Sequence, residues 1–371
     1  MKYRPLGNTG QKISTLSLGC MRFPDEETAV AIVQRSLDLG INYFETSVGY
    51  GGGNSEQWLG KALAQSGRRQ DVMVSTKSSP SAKDARSPGE GLVEALELSL
   101  QRLGLEYVDF YHGWSVSSEA AYEMCVQTDW LEELHKARDA GKVRHIGITS
   151  HGTPALVERI IDDGHFQVLT VQYSLILQSY RNVIAKAHAA GMGVVLMGPL
   201  AGGLLAGPSP VLEKVFAPDD QVTGALKYVL SDPGVSSAAS GMTSVADVDA
   251  NCAIIDALPD DLTIDYQAAV NETLRAELGD RLEEFEQLLC GGCRYCLNVC
   301  PEKIGPHNLF KAYNAAMLGA PVPNREKLVA GARKLRDKCT LCGLCVDACP
   351  QKINVPEHLD RIAEYFSSNR K

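Results

Sequence analysis

No stretch of eighteen apolar residues occurs in this chain, so no transmembrane helix is expected. The opening "MKYRPLGNTG" lacks the apolar centre of an export signal. No basic stripe runs through the sequence, and the formal net charge is -9. That balance argues against nucleic acid or an anionic membrane as a partner. No G-x-G-x-x-G follows the first strand, where "LGCMRFPDEE" stands instead, which disfavours an open dinucleotide-binding sheet. Cysteine is scarce before residue 290: only Cys20, Cys125 and Cys252 occur, and each reads as a small buried apolar side chain. The cytoplasm is the expected compartment, where cysteines serve as ligands or thiols before disulfides.

The other eight of the eleven cysteines fall into two runs, "CGGCRYCLNVCP" from Cys290 and "CTLCGLCVDACP" from Cys339. Both spell C-x-x-C-x-x-C-x-x-x-C-P, the bacterial ferredoxin spacing for [4Fe–4S] clusters. Zinc is the competing reading, but zinc sites pair two knuckles of two cysteines each and do not need the trailing C-P. In two-cluster ferredoxins the fourth cysteine of each run ligates the other cluster. Carried over here, one cluster takes Cys290, Cys293, Cys296 and Cys349, and the other takes Cys339, Cys342, Cys345 and Cys300. The segments between and after the runs read as helices, and the clusters are expected to hold this small region folded.

The preceding chain alternates short apolar strands with helical patterns. Strands are expected at "TLSLG", "YFET", "VMVST", "YVDFY", "HIGIT", "VLTVQ", "GVVLM" and "VSSAAS". Helices fall between them, for example Glu26 to Leu39, Gly89 to Leu103 and Asp129 to Ala140. Eight βα units predict an α/β fold, a closed (β/α)8 barrel, with an N-terminal hairpin turning at Asn8 to Gly10. The expected domains are residues 1–285, the barrel, and residues 286–371, a small, mostly helical ferredoxin-like domain.

The motifs "YRPLGNTGQKISTLSLGCMRF", "LDLGINYFETSVGYGGGNSEQWLGKAL", "VMVSTK", "GKVRHIGITSHG", "VQYSLI", "GVVLMGPLAGGLLAG" and "SGMTSVADVDAN" together resemble the aldo-keto reductase family. With the double cysteine motif behind them, they resemble its iron–sulfur branch. The resemblance implies Tyr50 as general acid, Lys77 as the cation that tunes the phenol, and Glu45 where the family has the Asp paired to that Lys. The family's His has no direct counterpart. Ungapped from Asp109, its position falls on Trp114, which can donate a hydrogen bond but not accept one; a two-residue deletion would give the role to His112 instead. The alternative is that both merely pack the barrel mouth.

The resemblance places Thr149, Ser150 and Gln172 at the nicotinamide carboxamide. It places Pro199, Leu200, Gly202 and Gly203 over the pyrophosphate, and Asn251 at the adenine. Where NADPH-dependent members carry Lys or Arg, this chain has Gly241 and Asp247, which favours NAD(H) over NADP(H). The implied activity is an oxidoreductase that interconverts a carbonyl and an alcohol on a small polar substrate. Electrons would come from a nicotinamide, from the clusters with a ferredoxin or other carrier as partner, or from both. A non-redox acid–base enzyme with structural clusters (an isomerase, epimerase or eliminase) and an electron-transfer or docking protein are the alternatives.

Overall fold

A computed structural model describes residues 1–80 and 85–368 of the chain. Two strands, β1 (Tyr3–Pro5) and β2 (Lys12–Ser14), pair antiparallel as the expected hairpin. A short 3-10 turn at Gly7–Thr9 and a left-handed Gly10 join them. Eight further strands follow: β3 (Leu16–Gly19), β4 (Tyr43–Glu45), β5 (Met73–Ser78), β6 (Val108–Gly113), β7 (Val143–Ser150), β8 (Val168–Gln172), β9 (Gly193–Met197) and β10 (Ser237–Ser240). They are all parallel and close into a barrel in sequence order, with β10 pairing back onto β3. The (β/α)8 barrel expected from the alternation is therefore the observed fold. Among the described residues no helix is long and apolar enough to cross a membrane.

Local chemistry sets the helix ends. Asp25, Ser87, Ser118, Thr153 and Ser244 each accept a backbone N–H in the first turn of the helix that follows, satisfying donors the helix cannot use itself. Left-handed glycines at 104 and 164 terminate two of these helices, and Gly67 terminates a third, Ser55–Ser66.

The barrel interior is built in layers. Phe110 packs with Tyr43, Val168, Val195 and Ala239, and the hairpin residues Leu6 and Ile13 join the same cluster and close that end. Side chains two residues apart on a strand share a face and lie about 6–7 Å apart. Phe110, His112 and Trp114 thus form one inward column from floor to mouth, and Met73, Ser75 and Lys77 form its neighbour on β5. The register confirms the level: Lys77 pairs with His112, and His112 with Gly147.

A second compact unit comprises Ser174–Gln178, Leu200–Tyr228 and Asp265 onward, so it draws on the chain on both sides of residue 286. Its helices include His307–Met317, Arg325–Asp337 and Val355–Ser368, as the sequence pattern predicts. It has apolar packing of its own, with Phe310, Tyr313, Met317, Leu359, Ile362 and Phe366 buried.

The two cysteine runs repeat in three dimensions. Each carries one five-residue helix, Tyr295–Val299 and Leu344–Ala348, and the two helices pack together. Left-handed backbone recurs at matching places: Gly292 and Leu341, Arg294 and Gly343, Lys303 and Lys352. Four of these six are not glycine, and each such residue costs roughly 1–2 kcal/mol. Strain of this kind persists where a binding loop over-determines the backbone.

Candidate active site and iron–sulfur centre

Glu45 ends β4, Lys77 lies near the end of β5, Trp114 follows β6, and Tyr50 opens the short turn after β4. All four sit at the C-terminal ends of the strands, where such barrels carry their chemistry. Lys77 is 2 % exposed and forms an ion pair with Glu45. Its ammonium donates to the Thr46 carbonyl at 3.1 Å and stands 4.6 Å from the centre of the Tyr50 ring. Burial drives the Lys77 ammonium well below its ordinary pKa; the adjacent Glu45 carboxylate opposes that drive. Tyr50 is 8 % exposed, and its ring meets that of Trp114 edge-on, centroids 5.9 Å apart at 88°. The methylene that distinguishes Glu45 from Asp therefore does not prevent the ion pair.

Trp114, rather than His112, is the residue beside Tyr50. His112 lies one layer deeper, level with Lys77. Its ring fills the space a side chain at Gly147 would need, 2.5–2.8 Å from where that Cβ would be, so only glycine fits opposite it. Neither ring nitrogen has a hydrogen-bond partner at normal geometry. Burial, then the charge of Lys77, lowers its pKa to about 3. It is a neutral histidine at working pH.

Thr149 and Ser150 turn their hydroxyls to the loop that carries Trp114. Thr149 accepts from the Ser115 N–H at 2.8 Å and donates to the Gly113 carbonyl at 3.4 Å; Ser150 donates to the Val116 carbonyl at 2.7 Å. The residue after them, His151, escaped the sequence reading. Its Nδ1 lies 3.2 Å from Oε1 of Gln172. Burial lowers its pKa to about 4, with the charge of Lys77 contributing in the same direction. Its signal was its place, directly after the last residue of β7.

Asp247 has a defined local task. Partial burial works against its charge, but N–H groups of Thr243 and Ser244 and the Thr243 hydroxyl outweigh this and hold the carboxyl below its usual range. With Ser244 it forms a capping box at the start of the helix Val245–Ala257. Asn251 donates to the Ser240 hydroxyl at 3.3 Å. A second residue outside the sequence reading is Arg22, whose aliphatic stem lies over Gly241: a Cβ there would be 2.8 Å from its Cγ.

Pro199 belongs to the barrel unit, whereas Leu200, Gly202 and Gly203 belong to the second unit. Gly202 is left-handed, and a Cβ on it would stand 2.6 Å from the Gly291 carbonyl oxygen. Any larger residue would push this loop off the first cysteine run.

The cysteines of the two runs lie close to one another. One cavity is lined by Cys300 together with Cys339, Cys342 and Cys345, and Cys296 borders it. Burial, then the neighbouring Cys293, Cys290, Cys349 and Cys345, push the Cys296 thiol up to about 12. Burial and the neighbours Cys339, Cys300 and Cys342 also raise Cys345. Cys300 of the first run thus stands with Cys339, Cys342 and Cys345 of the second, and Cys349 of the second stands near Cys296 of the first. Among the described residues no three metal-ligating side chains converge on a single ion. The donor set, eight soft thiols in two groups of four, fits two four-iron clusters. Cys20, Cys125 and Cys252 are buried apart from these groups.

A closed parallel barrel with a buried Lys–Glu pair under a tyrosine at its mouth, followed by a paired cysteine cradle, defines an oxidoreductase-type barrel joined to an iron–sulfur module. Residues 15–218 match the aldo/keto reductase family and residues 289–354 a 4Fe-4S dicluster domain. The chain belongs to the aldo/keto reductase family. It is 32% identical over 285 residues to the L-galactose dehydrogenase of Arabidopsis thaliana, covering 69% of this chain and 88% of that one. It is 26% identical over 311 residues to a probable voltage-gated potassium channel subunit beta of the same plant, covering 70% and 92%. Among solved structures it resembles the aldo-keto reductase AKR11C1 of Bacillus halodurans in its holo form. The TM-score is 0.64 and the identity 29%, over 74% of this chain and 96% of that one.

Proposed function

We propose that this protein is an iron–sulfur aldo-keto reductase that interconverts a carbonyl and an alcohol on a small polar substrate. The observation that carries the reading is the Lys77 ammonium, buried, paired to Glu45 and stacked on the Tyr50 ring. A positive charge in that position favours the anion of the phenol, so Tyr50 can give a proton to a carbonyl oxygen and take it back from an alcohol. Trp114 closes one side of the reacting space and offers an N–H but no acceptor. The relative named L-galactose dehydrogenase makes polyhydroxylated carbonyl compounds the first class to assay.

A nicotinamide supplies two electrons as hydride, and a four-iron cluster supplies or accepts one. Thr149, Ser150, Gln172, Pro199 and Asn251, all of the barrel unit, would hold the nucleotide. NAD(H) is the favoured form, because the N-terminus of the helix Val245–Ala257, a natural phosphate site, already holds the Asp247 carboxylate. Arg22 over Gly241 is the residue that works against this preference. The eight cysteines of the two runs would hold the clusters, in the crossed pairing. The cytoplasm is the proposed compartment.

The test separates binding from chemistry. Tyr50→Phe should lower turnover on a panel of aldoses and small aldehydes by 100- to 10,000-fold, about the worth of one general acid. NADH affinity should stay within about twofold, because only a proton is removed. Full activity in Tyr50→Phe discards the reading. Trp114 beside Tyr50, where the family carries a histidine, favours one second reading, acid–base isomerisation without net redox. Deuterium uptake from heavy water into substrate, with no donor oxidised, would mark it.

A further inference from the structure

The two cysteine runs repeat in backbone but differ in what covers them. In the first run, Gly291 lies against the Ala201–Ala206 loop, with the Gly202 Cβ position 2.6 Å from its carbonyl oxygen, and Gly292 is half-buried. In the second run, Thr340, Leu341, Cys342, Gly343 and Leu344 are all exposed. Leu341 is 61 % exposed, the most of any large apolar residue described, and Leu344 is 47 % exposed. Leu341 also stands in left-handed backbone, where its counterpart in the first run is Gly292. A branched apolar side chain there strains the backbone, and although it borders the cysteine cavity most of its surface stays exposed.

The helix Arg325–Asp337 leads directly into this run. From Arg325 to Lys338 the chain carries six Lys or Arg against Glu326 and Asp337, in a protein whose net charge is -9. Lys327, Arg333, Lys334 and Lys338 are exposed. An apolar tip beside a concentration of positive charge is the form of a transient docking site for an acidic surface.

We propose that the Leu341–Leu344 tip, with the basic segment before it, is the docking surface for a small acidic one-electron carrier protein. The carrier leaves oxidised by one electron and the dicluster domain is reduced by that electron, or the reverse. Cys342, the exposed cysteine of the eight, marks where the distance to the carrier is shortest. This rests on the domain holding two four-iron clusters. Electrons then pass to or from the carrier at the bare second run, and the covered first run is the farther of the two from the carrier.

The test uses the full-length holoprotein under anaerobic conditions, after iron and sulfide analysis. A purified acidic [2Fe–2S] ferredoxin, reduced beforehand, is mixed with it and its reoxidation is followed by stopped flow. Leu341→Gly, which suits the left-handed backbone and keeps the fold, and Leu344→Asp should each slow the reaction at least tenfold. The double variant K334E/K338E should slow it further and flatten its salt dependence. Reduction by dithionite, which needs no docking, should be unchanged in Leu344→Asp and in the double lysine variant. Ferredoxin rates that are unchanged in these variants, or insensitive to salt in the parent protein, overturn the docking proposal and leave the cluster reading intact. A protein without iron and sulfide removes the cluster reading and this proposal with it.

Discussion

Lys77 and Glu45 stabilise each other only as a pair. Both are buried, so removing one leaves an uncompensated charge, a loss of about 3–5 kcal/mol. Lys77→Met should therefore lower the urea midpoint markedly as well as slow turnover and shift its pH profile. Adding Glu45→Gln to Lys77→Met should restore part of the stability but none of the activity. A double-mutant cycle reads this directly, and additive stability losses would contradict the pairing. His112 gives a second prediction. Its folded pKa of about 3 lies below the ordinary 6.5, so below pH 6.5 the unfolded chain binds a proton that the folded chain does not. Stability must fall as the pH drops, by about 2 kcal/mol between pH 6.5 and 5 from this residue alone. His112→Phe should flatten that acid limb, seen as a smaller change in urea midpoint between pH 7 and 5. An unchanged slope would mean that His112 is not buried neutral.

At the scale of elements, Asp247 caps its helix and bears on the nucleotide, and one substitution separates the two roles. Asp247→Asn keeps an oxygen for the Thr243 and Ser244 N–H groups but removes the charge. NADH should bind roughly tenfold or more tightly than NADPH in the parent, and the ratio should shrink toward one in Asp247→Asn, with the thermal midpoint little changed. Equal affinities in the parent would contradict the preference. The crossed cradle predicts that Cys300→Ala damages the cluster held by Cys339, Cys342 and Cys345. Loss confined to the cluster of Cys290, Cys293 and Cys296, read by iron content and electron paramagnetic resonance, would contradict the crossing.

Much of this was legible in sequence because it is local. The strand "VLTVQ" is β8 residue for residue, and "VMVST" and "HIGIT" fall on β5 and β7. The helix expected from Glu26 to Leu39 ends one residue earlier. The capping box at Ser244 and Asp247 is spelled in the chain, yet a charge-based reading of Asp247 passed over it. What was not legible depends on residues brought together from afar: Arg22 over Gly241, His112 in the space left by Gly147, and His151 against Gln172. Trp114 or His112 could not be chosen from the alignment alone, since one layer of a barrel is two residues of sequence.

Across the whole chain, an oxidoreductase barrel and a dicluster domain share one polypeptide, so the electrons consumed must match the product formed. Full-length holoprotein, kept anaerobic, should be given small aldoses and aldehydes with NADH or with a reduced ferredoxin, and the donor oxidised per alcohol formed should be counted. At least one donor should be consumed at two electrons per alcohol, and Tyr50→Phe should lower product formation by 100-fold or more with the same stoichiometry. Substrate converted with no donor oxidised, or with Tyr50→Phe as fast as the parent protein, would contradict the reductase reading.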